Sequence, residues 1–165
     1  MIQKKICLIG VPAVGKTSLV RRFVEGLFSE AYLTTIGVKI DRREVEVDGT
    51  AVRLVVWDIA GDDAYSPLDL TYLRGAAGLL LVADGTRPST LNRALELREA
   101  AQEAYGPMPA VIALNKVDLE SDWALDADRV ATLRETATVL ETSAKTGANV
   151  EAAFDALARY TLKPS

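Results

Sequence analysis

The chain contains no histidine among its 165 residues. That excludes imidazole acid–base catalysis, histidine metal ligation and a histidine pH switch. A single cysteine excludes an internal disulfide and fits a reducing compartment. Cys7 lies in the apolar run Ile6-Cys7-Leu8-Ile9 and reads as a small core residue, with no histidine to activate a thiolate. Long apolar runs are also missing. The longest, near Leu79-Leu80-Leu81-Val82-Ala83, is far too short to span a bilayer. Met1-Ile2-Gln3-Lys4-Lys5 lacks the apolar stretch of a signal peptide. Ile2 stands where myristoylation needs glycine, and no cysteine for prenylation lies near Ser165, so no lipid anchor is visible. There is no excess of basic charge: 19 Lys and Arg against 23 Asp and Glu give −4. Such a chain exerts no general pull on DNA, RNA or anionic lipid. The expectation is a cytoplasmic protein with no nucleic-acid partner.

What is present is an ordinary globular balance, 49% hydrophobic and 25% charged. The length predicts one domain, residues 1–165. A chain of this size can bury about 70% of its extended surface, enough for one sizeable core. Apolar runs alternate with helical patterns. Strands are predicted at Lys4 to Ile9, Val38 to Val47, Thr50 to Asp58, Ala77 to Asp84, Ala110 to Asn115 and Thr138 to Thr142. Helices are predicted at Lys16 to Glu25, from a Ser89 or Thr90 cap to Tyr105, at Asp126 to Glu135 and at Asn149 to Tyr160. Asp48-Gly49 marks a two-residue hairpin, so one pair should be antiparallel. The rest implies an α/β fold: about six strands, mostly parallel, with one antiparallel edge strand and helices on both faces. Ligands of such sheets sit at the carboxyl ends of the strands.

Gly10-Val11-Pro12-Ala13-Val14-Gly15-Lys16-Thr17 matches the G-x-x-x-x-G-K-[ST] phosphate loop, between a predicted strand and a predicted helix. Gly10 and Gly15 permit backbone angles and approaches that a side chain would block. The loop N–H groups and the helix N-terminus can then face anionic oxygens. Lys16 can neutralise β- and γ-phosphate charge, and the Thr17 hydroxyl can ligate Mg²⁺. Pro12 stiffens the loop and removes one N–H from it. A second motif, Asn115-Lys116-Val117-Asp118, points to guanine. A carboxylate such as Asp118 can accept from the adjacent donors on guanine N1 and N2, a pair that adenine lacks. The Lys116 stem can lie over the purine, and Asn115 can bridge to the phosphate loop.

With Thr35-Ile36-Gly37-Val38, Trp57-Asp58-Ile59-Ala60-Gly61, Tyr72-Leu73-Arg74-Gly75-Ala76 and Glu141-Thr142-Ser143-Ala144-Lys145, these ordered pieces make the chain resemble the Ras superfamily of small GTPases, most closely its Rab-like branch. The resemblance runs from about Lys4 to Tyr160 and implies a P-loop NTPase fold of the Ras-like kind. It implies a guanine nucleotide, GTP or GDP, with Mg²⁺, held by Gly10, Val11, Ala13, Val14, Gly15, Lys16, Thr17, Ser18, Asn115, Lys116, Asp118, Leu119, Ser143, Ala144 and Lys145. Ala144 would donate its N–H to the base oxygen, and Phe28 would pack near the base or serve as a helix-end core residue. Thr35 would ligate Mg²⁺ in the triphosphate state, with Thr34 an adjacent candidate. Asp58 would hold Mg²⁺ through a water, and Gly61 would sense the γ-phosphate. The stretches 26–37 and 59–75 would be ordered by the γ-phosphate and released on its loss, giving a two-state switch.

The chain departs from the family at Asp62-Asp63, where the pattern has Gln-Glu. A glutamine both orients the attacking water and donates to developing charge. An ionised Asp62 only accepts, which predicts slow intrinsic hydrolysis. Asp62 acting as a base, held near the metal, or merely solvated are the alternatives. Trp57 and Tyr72 match aromatics that Rab-like proteins use for partners, while Ile40 replaces the third and Lys39 stands at an acidic position. An effector, an exchange factor and a GTPase activator are therefore expected near Ile40, Trp57 and Tyr72, without being those of ordinary Rab proteins. The expected function is a switch that hydrolyses GTP slowly. A GTP-loaded scaffold, an ATP-using enzyme on the same loop, and a regulatory domain of a longer chain are the rivals.

Overall fold

A computed structural model describes residues 1–26, 38–60 and 67–163. The strands are β1 (Ile2–Ile9), β2 (Val38–Val47), β3 (Thr50–Ile59), β4 (Gly78–Asp84), β5 (Ala110–Asn115) and β6 (Thr138–Glu141). The helices are α1 (Lys16–Glu25), α2 (Pro88–Tyr105), α3 (Ala127–Arg134) and α4 (Val150–Leu162). They form one six-stranded sheet in the order β2-β3-β1-β4-β5-β6. Among the described residues, the β2–β3 pair is antiparallel and the other four pairings are parallel.

Period-two alternation splits the core. Ile6 and Leu8 of β1 and Leu80 and Val82 of β4 face the side covered by Phe23 of α1 and by Phe154 and Leu157 of α4. Their neighbours Cys7, Ile9, Leu79 and Leu81 face the side covered by Leu91 and Leu97 of α2 and Val130 of α3. With both faces covered, all of β4 is buried, which is why it reads as a continuous apolar run.

The chain leaves β1 toward β3 on one side and β4 on the other, so the end of β1 is where the strand order reverses. Ligand sites of open α/β sheets form at such a point. At the far edge, Asp48 and Gly49 both take positive φ, 49° and 81°, as a type I′ hairpin turn requires. Arg159 of α4 donates to Asp48 Oδ1 at 3.0 Å and ties the hairpin tip to the last helix.

Among the boundaries that differ from the sequence-based expectation, two have a plain physical reason. β1 begins at Ile2 rather than Lys4, because its pairing with β3 already starts at Ile2 opposite Val52. Helix α2 starts at Pro88, with Arg87 in the cap position. Proline lacks the N–H that a first turn leaves unused and presets the helical φ. Thr90 instead accepts from the Asp84 N–H at 2.8 Å and donates to the Arg87 carbonyl at 2.7 Å. Among the described residues, no helix is long and apolar enough to cross a membrane.

Candidate functional site

The loop of residues 10–15 joins β1 to α1 at the reversal point. Its glycines are dictated by close approach: a Cβ at Gly10 would stand 2.5 Å from the Val82 carbonyl, and one at Gly15 would stand 2.2 Å from Asn115 Nδ2. Ala13 has φ 66° and Gly15 has φ 103°, both in the left-handed region. Placed among right-handed residues, such angles turn successive N–H groups to one side and form an anion-binding concavity. Lys16 is only 6% exposed, and its ammonium donates back to the Gly10 carbonyl at 3.2 Å and the Val11 carbonyl at 3.1 Å. Burial lowers its pKa to about 8, with the Asp58 carboxylate pulling the other way. Among the described residues its hydrogen-bond partners are these carbonyls, which a phosphate received by the loop could replace.

Asp58 is wholly buried near the end of β3, and the Thr17 hydroxyl, in the first turn of α1, donates to its Oδ2 at 2.7 Å. A hydroxyl and a carboxylate this close, beside a phosphate cradle, are the hard oxygen set that suits Mg²⁺. Ser18 lies beside them, half-buried.

The second motif closes on the first. Lys116 follows β5 with φ 73°, a sharp turn that sends neighbouring side chains different ways. Asn115 Nδ2 donates to the Val14 carbonyl at 3.0 Å, while Lys116 Nζ donates to the Ala13 carbonyl at 2.9 Å. Asp118 Oδ1 accepts from the Ser143 hydroxyl at 2.7 Å, and that hydroxyl accepts from the Thr146 N–H at 3.1 Å. The loop after β6 thus props the carboxylate. Ala144 is buried there, whereas Lys145 and Leu119 are exposed at the rim. Phe28, Thr34, Thr35, Gly61, Asp62 and Asp63 lie outside the described residues.

Three supporting residues escape a reading of the site from sequence. Thr142 donates to Asn115 Oδ1 at 3.1 Å, so both atoms of that amide are engaged. Asp84, 1% exposed, pairs with Lys116 at 2.8 Å and with Arg87 at 3.1 Å. Burial pushes its carboxyl up, but bonds from Lys116 and Thr86 outweigh burial and hold it below its ordinary value. An acid closing an apolar strand at the ligand end of the sheet is the available signal for Asp84. Arg87 carries none.

Ile40, Trp57 and Tyr72 do come together. Ile40 is the cross-strand partner of Trp57, and the Trp57 and Tyr72 rings sit 6.4 Å apart. Lys5 lies 3.7 Å over the Trp57 ring and donates to the Tyr72 carbonyl at 2.7 Å. Trp57 is half-buried, packing on the core with one part and facing solvent with the other.

The family model described as Ras family matches residues 5–163. The chain belongs to the Ras family. Its relatives in this family include Ras-related protein RAB1BV of Beta vulgaris, 37% identical over 94% of this chain and 74% of the relative. Ras-related protein Rab-13 of Rattus norvegicus is 35% identical over 96% of this chain and 79% of its own length. Human Ras-related protein Rab-8B is 36% identical over 94% and 76%. This Rab-like small GTPase is therefore a GTP-binding switch. The family binds guanine nucleotides with Mg²⁺ and works through effectors, exchange factors and GTPase activators.

Proposed function

We propose that this GTPase holds GTP or GDP across the two joined motifs and hydrolyses GTP slowly unless a partner assists. The observation that carries the binding half is the joining itself: Asn115 and Lys116 of the guanine motif hold the Val14 and Ala13 carbonyls of the phosphate loop. Asp118, propped by Ser143, reads the base donors, and the Ala144 N–H takes the base oxygen. Lys16 and the loop N–H groups of Ala13, Val14 and Gly15 take the phosphates. Thr17 would ligate Mg²⁺, Asp58 would hold it through a water, and Thr35 would complete the set in the triphosphate state. Bound there, Mg²⁺ would supply positive charge against that developing on the phosphates.

In the reaction, water attacks the γ-phosphorus and the bond to the bridging oxygen breaks, giving GDP, inorganic phosphate and a proton. Gly61 couples the γ-phosphate to the stretch 59–75. Asp62 cannot donate to the transition state when ionised, and it brings a negative charge toward the triphosphate, so the unassisted step is slow. Ile40, Trp57 and Tyr72 form the surface for an effector or regulator, with Lys39 selecting against partners that expect an acid. The lone buried Cys7 suits a reducing compartment and supports a cytoplasmic location.

Single-turnover hydrolysis of Mg²⁺-loaded GTP, wild type beside Asp62→Gln, tests the proposal. Asp62→Gln is expected to be about tenfold or more faster. Equal rates, or a faster wild type, would show that Asp62 does not blunt the reaction. A wild type with no turnover over many hours would favour the second reading that Asp62 supports, a GTP-loaded scaffold.

A further inference from the structure

The described parts of the phosphate loop are held from outside by three side chains on consecutive carbonyls. Arg87 Nη2 donates to the Pro12 carbonyl at 3.1 Å, Lys116 Nζ to the Ala13 carbonyl at 2.9 Å, and Asn115 Nδ2 to the Val14 carbonyl at 3.0 Å. In a planar trans peptide the C=O and the following N–H point in opposite directions. Drawing the carbonyls of Pro12, Ala13 and Val14 outward therefore aims the N–H groups of Ala13, Val14 and Gly15 into the cradle. The carbonyls of Gly10 and Val11 face the other way, toward the Lys16 ammonium.

Two of the three holders belong to the guanine motif. The third, Arg87, comes from the turn before α2 and lies in neither motif. We infer that Arg87 is a positioning residue that turns the Ala13 N–H toward the bound phosphates by gripping the Pro12 carbonyl. Proline makes this grip matter. Pro12 has no N–H of its own, so its peptide with Ala13 supplies the first donor after Val11. Ala13 must also hold φ 66°, a left-handed conformation unfavourable for a non-glycine residue, so the peptide needs an external tie. The guanidinium is itself anchored, because its Nε pairs with Asp84 Oδ2 at 3.1 Å. That buried carboxylate also fixes Lys116 at 2.8 Å, so one acid sets both cations against adjacent carbonyls. A planar fork can bridge two acceptors in fixed geometry. The Arg87 side chain is 46% exposed, so its removal should leave the fold standing.

The inference rests on the proposed occupation of the loop by phosphate. The test compares wild type with Arg87→Ala by the amide resonance of Ala13 in ¹⁵N-labelled full chain, with and without GDP and Mg²⁺, and by single-turnover GTP hydrolysis. Arg87→Ala is expected to move the Ala13 resonance even without nucleotide and to slow hydrolysis about tenfold, short of the roughly 10²–10³ typical of deleting a whole donor. Its melting temperature and its preference for GTP over ATP should stay those of the wild type, and free guanidinium at millimolar concentration should restore the rate. An unmoved Ala13 resonance would overturn the inference, as would a loss of rate explained by a fallen melting temperature. If wild type took up no nucleotide, the proposed function would fail, and the Ala13 resonance of the nucleotide-free proteins would still decide the role of Arg87.

Discussion

At the scale of single residues, burial separates two groups that could be mistaken for reactive ones. Lys16 is buried but placed to meet anionic oxygens, and its lowered pKa of about 8 comes from desolvation that a phosphate would relieve. Cys7 is buried among leucines and isoleucines with no such use. Desolvation lifts its thiol from 9.0 to about 12, with Lys5 pulling the other way. The folded thiol therefore stays protonated where the unfolded thiol ionises. Its contribution to stability is full below about pH 9 and is lost as pH rises from there toward 12. The stability advantage of wild type over Cys7→Ala, measured by urea unfolding, should thus shrink above about pH 9. An advantage that stayed constant well into that range would contradict the assigned burial effect. Thiol reagents should react with the native protein only at the rate of its unfolding.

At the scale of elements, the site depends on packing behind the helix that carries part of it. Helix α1 presents Thr17 and Lys16, and what fixes its tilt is a stacked pair on its inner face. Phe23 of α1 and Phe154 of α4 lie parallel, with ring centroids 3.9 Å apart, both essentially buried. Arg43 of β2 caps the stack, 4.4 Å from the Phe23 ring, and donates to the Phe23 carbonyl at 2.7 Å. Truncating Phe154 removes the partner of that stack and leaves a cavity between two helices and the sheet. Phe154→Ala should cost about 3–5 kcal/mol, a large share of the roughly 5–15 kcal/mol that holds a domain together. Urea unfolding at fixed nucleotide concentration measures it, and a cost below about 1 kcal/mol would mean the helices repack freely. Because α1 carries Lys16 and Thr17, the same variant should release nucleotide faster.

At the scale of the whole molecule, the site is the place where the ends of β1, β3, β4, β5 and β6 meet, so a ligand there ties distant parts of the chain together. A ligand that binds only the folded state stabilises it by about 2.7 kcal/mol at a hundredfold excess over its Kd. For a domain of this size that corresponds to about 5–10 °C in Tm. GDP with Mg²⁺ at that excess should produce such a rise, EDTA should reverse much of it, and ADP at the same concentration should produce none. Equal stabilisation by ADP would remove Asp118 as the base reader and return the chain to the broader class of phosphate-loop enzymes.

Much of this is written in the order of residues. The continuous apolar runs at the end of β1 and through β4 up to Asp84 announce a sheet covered on both faces, and Asp48-Gly49 announces an antiparallel turn, because each is a local preference that the chain keeps wherever it sits. The phosphate loop and the guanine motif are legible for the same reason: glycine spacing, a lysine and a carboxylate suffice to state the chemistry. The start of α2 is not, since Thr90 is free to turn back to Asp84 once Pro88 has set the helix. What the sequence does not announce is which residue grips which carbonyl. Thr142 follows β6, while Asp84 and Arg87 come from the end of β4, and they enter the site only when parallel pairing brings β4, β5 and β6 side by side. Hydrogen bonds across such distances in the chain have no local signature, because their partners are chosen by the register of the sheet. The motifs name the ligand, and the packed sheet decides the geometry with which it is held.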